Sequence, residues 1–217
     1  MSEDKERDPT LCAFYEKTGT CGKGELCGRI HRTYPLSRCL LFHHLFPDPT
    51  VFAKMLPEGV LSISSTEKQR MVDAFYLDVV LMVNRFGPVE DVVICGNKSD
   101  HLNGNVLVMF KEVDAAYAAL AALDGCYYAG RKVKVSLIPL NRISNSICRG
   151  IENGECAAQD SCNYVHPLNP SDFVTNECFP RSLRVYAEPF RKMKKHMIPD
   201  TPTDLLYGKT RLRKNLN

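Results

Sequence analysis

CAFYEKTGTCGKGELCGRIH, residues 12–31, and CRGIENGECAAQDSCNYVH, residues 148–166, are two spellings of one pattern. Cys12, Cys21, Cys27 and His31 follow C-x8-C-x5-C-x3-H; Cys148, Cys156, Cys162 and His166 follow C-x7-C-x5-C-x3-H. Three thiolates and one imidazole complete a tetrahedral shell suited to a structural Zn2+ ion. That shell leaves no position for substrate or water, so neither site reads as catalytic zinc. One such spacing could arise by chance; two with the same last three ligands do not. Each segment is too short to build a core, so metal is expected to hold it.

The stretch between the two patterns is long enough for one small domain and has the order βαββαβ. A first strand fits residues 38–43. Ser64-Ser65-Thr66-Glu67 has the S-x-x-E form of a capping box and starts a helix expected over about 66–85, ended by Gly87-Pro88. Met71, Phe75, Val79, Met82 and Phe86 recur at helical spacing and are expected to face a sheet. Strands are expected at 89–94 and 105–110, with turn chemistry over 96–100 between them. A second helix is expected over about 112–123, with Ala116, Tyr117, Leu120 and Leu123 on one face, and a last strand at 132–137. The predicted class is α+β: an RRM-like βαββαβ domain, four antiparallel strands with two helices on one face, flanked by two small CCCH zinc fingers.

The organisation reads as an acidic leader (1–10), first finger (11–36), central domain (37–141), second finger (142–168) and basic, partly disordered tail (169–217). A short basic helix is expected over 186–195. Residues 181–217 carry ten Lys/Arg against three Asp/Glu, so the net charge of +3 leaves the rest at −4. Such a tail either contacts nucleic acid or an acidic partner, or is a solvated segment that keeps the chain soluble. The first residues lack an apolar stretch, so no secretory signal is read, and no apolar run approaches a membrane span. Six of ten cysteines fall in the metal patterns; Cys39, Cys95, Cys126 and Cys178 show no pairing logic. A reducing compartment and packing roles are expected for those four.

An RRM that reads RNA stacks bases on aromatics of its first and third strands. Here those positions hold Leu41, Asn105 and Leu107. Each lost stack removes about 1–3 kcal/mol per base, so the sheet is expected to bind RNA poorly and the domain to bind protein instead.

Finger, RRM-like domain without stacking aromatics, then finger: this order resembles the small subunit of the U2 auxiliary factor (U2AF) of the spliceosome. The resemblance covers roughly residues 10–167. It is carried by Cys12-Ala13-Phe14-Tyr15, Cys27-Gly28-Arg29-Ile30-His31, Asp100-His101-Leu102-Asn103-Gly104-Asn105-Val106, Gly154-Glu155-Cys156 and Cys162-Asn163-Tyr164-Val165-His166. It implies a nuclear, non-enzymatic pre-mRNA splicing factor. Its fingers would read the AG at the 3′ splice site in single-stranded pre-mRNA. Its central U2AF-homology motif would bind the large subunit, and further spliceosomal proteins would be partners.

Chemistry at matching positions suggests RNA contacts from Phe14, Tyr15, Lys17, Arg29 and Arg32 in the first finger, with Lys23 as a further phosphate contact. Arg149, Asn163 and Tyr164 hold comparable places in the second. One of Phe14 and Tyr15 is expected to fill space beside the metal. For the partner, the resemblance points to Tyr128 at the clasping aromatic position, Tyr127 where the family carries a protruding Trp, and Asp73 and Asp78 on the first helix. The chain departs from the family at Gly22 and Gly28, where members often carry Arg and Ser, and at Cys126, where they carry Arg. The second finger holds Glu152, Glu155 and Asp160 against Arg149, which opposes a phosphate backbone. A protein-interaction scaffold with little direct RNA reading is the competing interpretation.

Overall fold

Ser64 caps the longest helix among the described residues. Its hydroxyl accepts from the Glu67 amide at 3.2 Å, and the Glu67 carboxylate accepts from the Ser64 amide at 2.9 Å, closing the capping box. The computed structural model describes residues 10–49 and 63–178. The elements are α1 (Ala13–Thr18), β1 (Cys39–Phe42), α2 (Ser65–Val83), β2 (Val89–Cys95), β3 (Val106–Phe110), α3 (Val113–Leu123), β4 (Tyr127–Tyr128), β5 (Arg131–Lys132), β6 (Val135–Ile138), α4 (Arg149–Glu152), β7 (Pro167–Leu168) and α5 (Asp172–Cys178). Among the described residues, no helix is long and apolar enough to cross a membrane.

The α+β, RRM-like order holds, with three differences in detail. The sheet has five antiparallel strands, β6-β1-β3-β2-β7, rather than four. β7 is the extra edge strand, supplied by the two residues after His166. The expected last strand is split: Arg131 and Lys132 turn back on Tyr128 and Tyr127 in a hairpin, and only Val135–Ile138 joins the sheet. Ala129 and Gly130, at φ +48° and +75°, form the two-residue turn that makes this split. Beyond β7 the chain continues into α5, whose Val174 and Cys178 bury against α2, where the sequence pattern fades. The leader (1–9), the 50–62 loop segment and the basic helix expected at 186–195 lie outside the described residues.

Helices α2, α3 and α5 cover one sheet face. Leu40, Phe42, Val106, Val108 and Phe110 point to that side and meet Phe75, Val79, Val83, Ala116 and Ala119. The buried stripe of α2 is Val72, Phe75, Tyr76, Val79, Val80 and Val83, so Met71 lies outside the fully buried set. On α3 the stripe is Ala115, Ala116, Ala119 and Leu123, which turns Tyr117 outward. Small alanines let α3 lie close to the sheet, and the larger ring takes the solvent side.

The opposite face is also buried. Cys39, Leu41, Leu107, Met109 and Ile138 alternate onto it and pack with Leu140, Ile143 and Val165 from the segment carrying the second Cys/His pattern. Gly19, at the end of α1, rests directly on it. A Cβ there would come within 2.3 Å of Ile138 and 2.8 Å of Leu41, and its φ is +72°. Only glycine allows that turn and that approach.

Candidate metal centres and the face they build

The repeat seen in the sequence is a repeat in space. In each module the residue before the first Cys pairs in parallel with the residue before the His: Leu11 with Ile30, Ile147 with Val165. The Cys12 amide donates to the Ile30 carbonyl at 3.0 Å and the Cys148 amide to the Val165 carbonyl at 2.9 Å. A helix follows the first Cys in both, and a single 3-10 turn, Gly24–Leu26 or Gln159–Ser161, precedes the third. The left-handed residue in that turn is Gly24 in one module and Gln159, at φ +40°, in the other.

These frames bring Cys12, Cys21, Cys27 and His31 together, and likewise Cys148, Cys156, Cys162 and His166; within each group all ligand atoms lie within 4.8 Å of one another. Sulfurs around a tetrahedral ion with bonds of about 2.3 Å stand about 3.8 Å apart. The Sγ of Cys148 lies 3.6 Å from that of Cys156 and 3.7 Å from that of Cys162. Nε2 of His31 and of His166 are buried and have no hydrogen-bond partner. A buried ring nitrogen without a partner is costly unless it is a ligand. Both clusters therefore fit a metal ion.

Backbone amides support the sulfurs. The Arg29 amide donates to Cys27 and holds its thiol below the usual range. The Tyr164 amide points at Cys162 Sγ at 3.4 Å, the same place in the second module. Burial still pushes the Cys162 thiol up, to about 12. A bound divalent ion reverses that preference.

The two modules meet. Phe14 and Tyr164 pack edge to face with ring centroids 5.8 Å apart, and the Lys17 ammonium lies 5.3 Å from the Tyr164 ring. Asn163 approaches the first module at Gly22, where a Cβ would stand 3.3 Å from its Oδ1 and 3.2 Å from the His101 ring. A side chain there would need both neighbours to give by a few tenths of an ångström. Tyr15 stacks flat on His31 at 4.3 Å and so fills the space beside the cluster. Arg32 is bound to the Tyr34 hydroxyl (2.6 and 2.9 Å), whose own proton goes to Glu16.

Arg29 and Arg149 are exposed, as is Lys23, and none makes a salt bridge among the described residues. Asp160, one of the carboxylates opposing phosphate in the second module, is paired with Lys98 at 3.2 Å. Sequence reasoning missed Lys98, because it comes from the β2–β3 turn of the central domain.

The positions at which RRMs stack bases are covered. Leu41, Asn105 and Leu107 are fully buried. Asn105 accepts from the His44 amide and donates to the His101 carbonyl, both at 2.9 Å, which ties two loops together.

On the far side, Tyr128 lies edge-on to Phe75 at 6.0 Å, and its hydroxyl donates to Asp78 at 2.6 Å. Burial raises the Asp78 carboxyl, and the Tyr128 bond partly offsets this. Tyr127, its neighbour, is 75% exposed. Asp73 accepts from the Ser171 amide at 2.7 Å and from Gln69, so it faces the start of α5. The structure thus joins Asp78 to Tyr128 and sets Asp73 and Tyr127 apart from them.

A pair of Cys3His modules closed over one face of an RRM-like sheet defines the class. No protein-family model matches the chain. Among curated proteins, the splicing factor U2AF 26 kDa subunit of Rattus norvegicus is 32% identical over 185 residues, 85% of this chain and 84% of that protein. The splicing factor U2AF 23 kDa subunit of Schizosaccharomyces pombe is 34% identical over 166 residues, 76% and 74% respectively. Two splicing factor U2af small subunits of Arabidopsis thaliana are 33% and 32% identical over 181 residues, 83% of this chain. The chain spans only 64% and 61% of the length of those plant relatives. The chain belongs to the U2AF small-subunit family, whose members are splicing factors and not enzymes. A solved structure, "Pes4 RRM3 Structure", aligns with 49% of the chain and 96% of its own at TM-score 0.31 and 13% identity, too distant to add to the strand order described above.

Proposed function

We propose that this chain is a pre-mRNA splicing factor of the nucleus, holding two Zn2+ ions and recognising the AG of a 3′ splice site in single-stranded RNA through both fingers. Zinc is the metal of choice for three thiolates and an imidazole in a closed tetrahedral shell. The observation that carries the RNA reading is the Phe14–Tyr164 contact, which makes two distant segments one surface. Arg29 and Lys23 of the first module and Arg149 of the second are exposed. The finger-covered sheet face cannot present bases with its usual stacking positions, so recognition falls to the fingers.

Arg29 is the residue best placed to specify. Its amide is fixed on a ligand sulfur while its guanidinium reaches solvent, able to contact a phosphate or lie on a base. Lys23 and Arg149 supply phosphate contacts, which position the strand without selecting sequence. Fluorescence polarisation with a short AG-containing RNA tests this. Arg29→Ala is expected to weaken binding by about ten- to a hundredfold, since a charged hydrogen bond contributes about 1.5–3 kcal/mol. Unchanged affinity would remove direct reading by the first finger.

The large subunit docks at the Tyr127–Tyr128 hairpin and Asp78. The exposed Tyr127 ring supplies contact area, while Tyr128 and Asp78 are tied to each other. Co-purification with tagged chain should recover a large subunit that binds polypyrimidine tracts, and Tyr127→Ala should lose it. The scaffold reading is favoured by one observation, the exposed carboxylates of the second finger at Glu155 and Asp160. It predicts protein partners with no measurable RNA affinity.

A further inference from the structure

We propose that Asn97, in the β2–β3 turn of the RRM-like domain, is the positioning residue of the second metal centre, so that the central domain holds that centre while the first is held by its own module. The inference rests on the metal reading of the Cys3His clusters.

Asn97 is a polar side chain only 2% exposed. Its Nδ2 donates to the Tyr164 carbonyl at 2.8 Å, and its Oδ1 accepts from the His166 amide at 2.8 Å. The amide orientation follows from its partners, because turning it over would face donor with donor and acceptor with acceptor. The same turn takes the other backbone group of the ligand: the Gly96 amide donates to the His166 carbonyl at 2.7 Å. Both backbone polar groups of His166 are therefore bonded to residues 96 and 97. Next along the chain, Pro167 and Leu168 pair with Cys95 and Ile94. Asn97 prolongs that ladder across the ligand, with a side chain standing in for a strand. The turn is itself fixed, since the Asn97 carbonyl accepts from Asn103 Nδ2 at 2.7 Å.

The first centre is backed differently. His31 lies flat against Tyr15 at 4.3 Å, and Arg32, Tyr34 and Glu16 close the loop beyond it. All of these residues belong to the first module or the segment just after it. Two sites with nearly the same ligand spacing thus differ in what keeps the histidine in place. The Tyr164 bond extends the consequence to the RNA face, because Asn97 also fixes the backbone of the residue that meets Phe14.

The test uses full-length, reduced, zinc-loaded protein with excess chelator and a thiol-alkylating reagent, read by peptide mass spectrometry. A starting content of two zinc ions per chain secures the metal reading separately; a lower content would defeat that reading rather than the role of Asn97. In Asn97→Ala, alkylation of Cys148, Cys156 and Cys162 is expected to accelerate by about ten- to a hundredfold, the usual effect of losing an outer-shell partner. Cys12, Cys21 and Cys27 should keep the wild-type rate. Asn97→Asp retains the acceptor for His166 but sets a carboxylate oxygen against the Tyr164 carbonyl, so its second set should also label faster than in the wild type. No acceleration of the second set, or equal acceleration of both sets, overturns the proposal. Buried Cys39 and Cys178, on opposite faces of the sheet, report global unfolding when both are labelled. If Asn97→Ala exposes them, Asn97→Asp decides: faster labelling confined to the second set supports the proposal, and its absence overturns it.

Discussion

The ring of Phe14, two residues after the first cysteine of one module, meets the ring of Tyr164, two residues after the third cysteine of the other, edge to face at 5.8 Å. Each ring belongs to a different Cys3His module, so the contact measures how strongly the two modules are coupled. Phe14→Ala and Tyr164→Ala are each expected to destabilise the chain. A double-mutant cycle by denaturant unfolding should give a coupling of about 0.5–1.5 kcal/mol, the range for such ring pairs. Strict additivity would mean that the modules sit on the sheet independently.

The covered sheet face leads to a prediction opposite to the one its fold suggests. Placing Phe at Leu107 restores the residue type that RRMs use for stacking, yet Leu107 is fully buried beneath the finger-bearing segment. Leu107→Phe should cost about 1–3 kcal/mol by overpacking and leave RNA affinity unchanged. A gain in affinity would show that the face opens.

Much of this was legible in the sequence. All eight residues of the two Cys3His clusters follow from spacing, and the Ser64–Glu67 box marks the start of α2. The loss of stacking aromatics at Leu41, Asn105 and Leu107 was visible, but its cause was not. These side chains are buried by segments distant in sequence, which no local period reveals. Tyr117 and Met71 were misplaced because apolar character alone sets a stripe only to within a residue or so, while Ala115 and Ala119 were needed for close packing. β7 and α5 were missed because such short elements show no periodicity. Asn97 and Lys98 read only as turn residues, since their partners Tyr164, His166 and Asp160 belong to the other end of the chain.

Gln159 occupies a left-handed position that the first module gives to Gly24. The strain of a side chain there is about 1–2 kcal/mol, offset by about 0.5–1 kcal/mol for the greater freedom of unfolded glycine. Gln159→Gly should therefore stabilise the zinc-loaded protein by about 0.5–1 kcal/mol, and Gly24→Ala should destabilise it, both read by thermal or denaturant unfolding with metal present. Destabilisation by Gln159→Gly would indicate that its side chain is held.

His43 provides a pH signature distinct from the metal ligands. Burial, then Lys134, holds its pKa down to about 4, and its Nε2 lies 2.8 Å from Ser136 Oγ. The folded state resists protonating this ring, whereas the unfolded chain takes the proton near pH 6.5. The stability is fully present above about pH 6.5 and is lost as pH falls toward 4, by at most about 1.4 kcal/mol per pH unit. The comparison is between wild type and His43→Asn, which share every other titrating group. The variant should show the shallower fall; equal slopes would remove His43 from the account.

The most direct measurement follows metal and RNA together. Native mass spectrometry of intact, reduced protein, sampled along a chelator titration with polarisation of a short AG-containing RNA read in parallel, counts the ions and the binding in one series. The account predicts two zinc ions per chain at the start and RNA binding that disappears as they leave. Fewer than two ions at the start, or full RNA affinity in the metal-free chain, would contradict it.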